Sequence, residues 1–149
     1  MEEAGALAGL LGRAYPTERW DVADTEHELF GDETIRATLV VAAERRLIAT
    51  ASLQVHPDAP ECGWLRWVVT QEDRRREGLA RALVIAVLAI AAQAGCREAR
   101  LRTETDRLAA ISLYLQLGFE PLVRSDLERD AGEQVIRFLR ANDPYRQHM

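Results

Sequence analysis

Residues 64–95 restrict the fold of this chain more than any other stretch. A β-rich apolar run from Trp64 to Thr70 leads into an arginine-rich turn, and Gly78 then opens a helix that is apolar almost all the way round until Gly95. Such a helix cannot stand alone in water, and its longest apolar stretch, 82–92, is far shorter than the roughly 20 residues a bilayer requires. It must pack on a sheet, with a further face left for a second element or a second copy of the chain, so a homodimer stays open. With another strand expected at 99–103, residues 64–103 read as a strand, crossover helix and parallel strand.

The flanking segments complete the outline. Leu7, Leu10, Leu11 and Ala14 recur at helical spacing within 3–14, and Pro16 stops the run. A second helix is expected from Thr17 or Glu18 to Phe30. Segments 38–43 and 47–55, joined at Glu44-Arg45-Arg46, predict an antiparallel hairpin, and Pro57, Pro60 and Gly63 mark the loop into the strand at 64–70. A helix over 108–117 precedes two late strands, 119–123 and 134–139. The fold class is therefore α/β in the α+β sense: a mixed, mostly antiparallel sheet with one parallel strand–helix–strand unit and flanking helices. At 149 residues the chain is expected to be a single domain, 1–149.

Charge narrows the partners. A net charge of −5 disfavours nucleic acid. All 19 basic residues are arginines, and without lysine the amino terminus is the sole amine. The acidic start Met1-Glu2-Glu3 is unlike a signal peptide, so a cytoplasmic protein with no membrane partner is expected. Cys62 and Cys96 are too few for a disulfide framework or a metal site, and His27, His56 and His148 lack ligand or triad spacing. No metal is expected.

The positive charge is local. Arg74, Arg75, Arg76 and Arg81 surround Gly78 and Ala80, whose small side chains let a phosphate approach the backbone. There the unpaired N–H groups of a helix's first turn offer donors and a partial positive charge. No Gly-Lys-Ser/Thr follows, so the loop is not that of a nucleotide hydrolase. About thirty residues on comes Ala110-Ile111-Ser112-Leu113-Tyr114-Leu115-Gln116-Leu117-Gly118-Phe119.

With both segments in view, the chain resembles the GNAT superfamily of N-acetyltransferases over residues 35–123. Arg75-x-x-Gly78-x-Ala80 is similar to that family's acetyl-CoA pyrophosphate loop, and Ala110 to Phe119 to its Ala-x-x-x-Tyr-x-x-x-Gly-Phe signature. The resemblance implies acetyl-CoA as co-substrate, cradled by the backbone of Arg75, Arg76, Glu77, Gly78, Leu79, Ala80 and Arg81, and a small-molecule or peptide amine as acceptor. It implies that Val68, Val69 and Thr70 pair with the pantetheine arm at a splayed, bulged strand end, where the Val68 amide polarises the thioester. Tyr114 stands where the family has its general acid. No cysteine lies in either motif, so direct attack in a ternary complex is expected.

Three features depart from the family pattern, the opening element and two positions. Members usually open with a strand before the first helix, whereas helix-like sequence begins here almost at once. Arg107 replaces an asparagine that often contacts the cofactor, and either pairs with a CoA phosphate or is solvated. Trp64 occupies the place where some members carry a glutamate base, which leaves Glu104 and Asp106, or a water chain, to take the proton. By strand alternation Trp64, Arg66 and Val68 share one face, looking into the acceptor site, with Arg66 suited to a carboxylate. Two rival functions remain: a silent acyl-CoA-binding domain and a purely structural interaction domain.

Overall fold

Leucines at helical spacing and oppositely charged ends explain α1, Glu2–Ala14. Glu2 and Glu3 sit in its first turn and Arg13 in its last, each complementing the helix dipole, while Leu7, Leu10 and Leu11 are buried. In this computed structural model the described residues are 2–104, 106–122, 125, 126 and 134. They fall in two compact units, Met1–Arg102 and Thr103–Met149. Among the described residues no strand precedes α1, and no helix is long and apolar enough to cross a membrane.

The second helix starts later than its apolar residues suggest. α2 (Val22–Thr25) is fixed by a capping box, in which Asp21 accepts from the Asp24 amide at 2.9 Å while the Asp24 carboxylate takes the Asp21 amide at 3.4 Å. The Asp21 carboxyl is held below its ordinary value, chiefly by that Asp24 amide. α2 passes directly into a π-helical segment, Glu26–Gly31, that buries Leu29.

Four strands follow in the first unit: β1 (Ile35–Ala43), β2 (Arg46–Val55), β3 (Cys62–Thr70) and β4 (Glu98–Arg100), in spatial order β1-β2-β3-β4. The first two pairings are antiparallel and the third parallel. The hairpin closes through Glu44 and Arg45, both left-handed with φ of 51° and 62°, the backbone whose twist suits a two-residue hairpin turn. β4 is shorter than expected, since 101–103 lie outside it.

α3 (Leu79–Gln93) is the crossover, and it packs on β1, β2 and β3. It buries only the stripe Leu83, Val84, Val87 and Ala91, while Ala82, Ile85, Ala89 and Ala92 point outward, exposed. A Cβ on Gly63 would come within 3.1 Å of Leu53 and 3.3 Å of Ala91, so β2, β3 and α3 are in close contact there. α1 covers the opposite face. Leu7, Leu10, Leu11, Leu29 and Val69 form its buried cluster, with Tyr15, Trp20 and Trp67 packed alongside. Leu11→Ala should therefore lower stability by about 2–5 kcal/mol, seen as an earlier denaturant midpoint at unchanged slope.

In the second unit α4 (Leu108–Gln116) ends at Gly118, φ +95°, where the amide of Phe119 bonds the carbonyl of Tyr114 at 3.0 Å and that of Gly118 bonds Leu115 at 3.1 Å. α3 closes the same way at Gly95, with Cys96 on Ala91 and Gly95 on Ala92. In both closures the glycine adopts a backbone that other residues resist. Of the late strands, 119–122 form none; Pro121 has no N–H to give a ladder. Val123 lies outside the described residues, as does 134–139 apart from Gln134, which is helical.

Candidate active site

β3 loses one of its two partners a third of the way along. Its parallel ladder with β4 has only three rungs, Cys62↔Glu98, Gly63↔Ala99 and Trp64↔Arg100, whereas its antiparallel ladder with β2 runs on to Ala49↔Thr70. The second ladder skips at one point: Ser52 pairs with Arg66 and Thr50 with Val69, which leaves Trp67 and Val68 together opposite Ala51. This is a β-bulge with Trp67 at φ 54°. Such a backbone at a bulky aromatic costs about 1–3 kcal/mol and persists only where its surroundings hold it. Val68 has no rung in either ladder.

The bulge also corrects the expected alternation. Thr50 and Ser52 share a face of β2, and cross-strand partners share a face, so Arg66 and Val69 point to the same side. Trp64 and Arg66 thus look toward the α1 side, and Val68 looks the other way.

That α1-side face turns polar toward the start of β3. Ser52 bonds Thr38 at 2.9 Å, and the buried Gln54 donates from Nε2 to Thr34 Oγ1 at 2.8 Å and accepts at Oε1 from Arg66 Nη1 at 3.0 Å. Asp32 closes the row by accepting from the Thr34 hydroxyl at 2.6 Å and amide at 2.8 Å, and those bonds hold its carboxyl below the ordinary value of 3.8. The Arg66 guanidinium lies 4.6 Å from the centroid of Trp67, whose ring meets Trp20 edge-on at 4.7 Å and Tyr15 at 5.9 Å. Sequence reasoning missed Gln54, Thr34 and Trp67.

Past Thr70 the strand opens beside a cavity of about 430 Å³, lined by Leu10, Arg13, Ala14, Val69, Thr70 and Arg75 among others. The chain then makes a single turn, Glu72–Arg74, and enters the arginine loop. Arg74 forks onto both Glu77 oxygens at 2.8 and 3.1 Å, which ties the loop to itself and holds the Glu77 carboxyl below its ordinary value. Arg75, Arg76 and Arg81 are exposed. Arg76 is left-handed at φ 70°, and Gly78, at φ 75°, caps α3 without a side-chain bond to its first-turn amides. A Cβ on Gly78 would meet nothing within 4 Å, so the space beside the helix start is open. Open amides at a helix start, flanked by three exposed arginines, fit the pyrophosphate of an acyl-CoA.

The remaining expected residues lie in the second unit. Glu104 and Asp106 are exposed in the turn ahead of α4, with their carbonyls accepting from the amides of Arg107 and Leu108 at 3.1 and 3.0 Å. Arg107 precedes the helix as its N-cap without a side-chain cap bond. Tyr114 is buried, and its ring meets Phe119 edge-on at 5.9 Å. That contact is the apolar component of the Gly118 closure.

Comparison with known proteins agrees with this fold. The family model described as acetyltransferase (GNAT) family matches residues 7–119. A crystal structure of aminoglycoside N-acetyltransferase AAC(6')-Iy in complex with CoA superposes with a TM-score of 0.70 at 23% identity, over 83% of this chain and 85% of that one. Ribosomal-protein-alanine N-acetyltransferase from Brucella melitensis biovar Abortus 2308 gives 0.69 at 20% identity, over 83% and 89%. Glucosamine-6-phosphate N-acetyltransferase from Arabidopsis thaliana gives 0.65 at 16%, over 83% and 88%. At these identities the likeness is one of fold. No sequence among the curated proteins matches the chain.

Proposed function

The chain belongs to the acetyltransferase (GNAT) family, and from that premise we propose that it moves an acetyl group from acetyl-CoA to a primary amine of a small molecule or peptide, by direct attack in a ternary complex. The observation that carries this reading is the course of β3: a residue outside both ladders at Val68, then a continuous path to the open amides at Gly78.

When bound, acetyl-CoA supplies the activated acyl group. The chain's own residues do the rest. The first-turn amides of α3 with Arg75, Arg76 and Arg81 hold the pyrophosphate, and Val69 and Thr70 align the arm beyond it. The Val68 amide donates to the acyl oxygen, where preorganised donors count most because they need no rearrangement as charge develops. Tyr114 holds the proton for the leaving thiolate, and Arg107 pairs with a cofactor phosphate. Glu104 or Asp106 relays the proton from the amine; both are exposed and can pass it on to solvent. A screen of amines with acetyl-CoA, read by release of free thiol, tests the reading. Cofactor binding without turnover would make the chain a sensing domain instead.

The acceptor follows from Trp64 and Arg66. Gln54 engages Arg66 Nη1, and the guanidinium's other N–H groups form no further hydrogen bond among the described residues, a fork that suits a carboxylate. Arg66→Gln should raise the acceptor KM roughly tenfold or more while sparing acetyl-CoA binding. On this reading an amino acid, a peptide terminus or another amino-carboxylate is preferred, and polycationic amines are poor acceptors. Efficient acetylation of spermidine would remove the carboxylate from the proposal.

A further inference from the structure

On the reading of β3 as the strand that holds the cofactor's acyl arm, Trp67 is the residue of that strand whose backbone is left-handed. An aromatic residue enters the left-handed region only when its neighbours over-determine it. Here three groups from two segments do so: Tyr15 and Trp20 near the two ends of the α1–α2 connection, and Arg66 on β3 itself, at 5.9, 4.7 and 4.6 Å from the ring. Ala51, opposite the bulge, faces the other side of the sheet from the ring, which packs with the α1 cluster. The extra residue is therefore held from the helical side.

The bulge has two consequences at once. It puts Val68 out of both ladders, and it brings Arg66 and Trp67, consecutive in sequence, together so that the guanidinium lies over the indole. We propose that Trp67 is a positioning residue for the transfer: its ring, wedged between Tyr15 and Trp20 and covered by Arg66, locks the bulge that aims the Val68 amide at the acyl oxygen and orients Arg66 toward the acceptor. The α1–α2 connection thereby sets the geometry of the strand on which the chemistry takes place.

The test separates positioning from folding. Glycine accepts φ 54° freely, so Trp67→Gly keeps the backbone allowed while removing the wedge, and Trp67→Phe keeps an edge-on ring. For folded Trp67→Gly, kcat should fall about 10- to 100-fold with the acetyl-CoA KM nearly unchanged, and Phe should restore most of the loss. A purely structural ring would lower the melting temperature and leave kcat per folded molecule alone, and that result overturns the proposal. If Trp67→Gly does not fold, Trp20→Leu takes its place. A fall in its kcat at constant KM supports the wedge, and an unchanged kcat overturns it. Wild-type protein that neither gains stability with acetyl-CoA nor turns over any amine overturns the transferase reading itself, and the positioning role goes with it. That failure is visible before any variant is made.

Discussion

Replacing Tyr114 by phenylalanine should lower turnover by about 10²-fold or more while acetyl-CoA affinity stays close to that of wild type. The substitution removes one hydroxyl and keeps the ring, so the edge-on contact with Phe119 and the helix closure at Gly118 are preserved. A loss confined to kcat would be that of a proton held for the leaving group. Tyr114 is buried, and a buried tyrosine is more often core than catalyst. Its assignment as the acid accordingly rests on the family motif, and unchanged turnover in Tyr114→Phe would return it to the core.

The second large effect is expected at Gly78. A ligand that binds only the native state adds about 2.7 kcal/mol at 100 times its dissociation constant. Gly78→Asp should abolish that gain for acetyl-CoA by placing a carboxylate where the pyrophosphate sits. Because φ is +75°, any side chain here is strained, at a cost of roughly 1–2 kcal/mol even though the space is open. Gly78→Asn supplies the comparison: asparagine matches aspartate in shape, tolerates the left-handed backbone and carries no charge. Both variants should melt earlier than wild type without ligand, and only the aspartate should fail to gain from acetyl-CoA. Equal gains in the two would refute the loop assignment.

Much of this arrangement was legible before the fold was known. α1, the hairpin, α3 and α4 announce themselves by apolar periodicity, and Gly95 and Gly118 mark helix ends that only a left-handed residue closes. The loop at 75–81 and the tyrosine signature carry their chemistry in residue types. What could not be read depends on contacts between segments. α2 begins at Val22 because two aspartates exchange bonds across its first turn, a choice that hydrophobic spacing does not record. The bulge carries no glycine to flag it, since Trp67 is held in place by Tyr15, Trp20 and Arg66 rather than by its own conformational freedom. The bond from Arg66 to Gln54 depends in turn on the register of β3 against β2, which residue types alone do not fix.

The bulge also divides β3 into two reading frames. Up to Arg66 the even-numbered positions share a side with α1, and from Val69 the odd-numbered ones do. Loss or gain of a single codon between 66 and 69 would shift one half of the strand against the other and turn Val69 out of its cluster. Inherited variation in this strand is therefore expected as substitutions rather than length changes. A designer who recodes it as one continuous alternation would bury the wrong half.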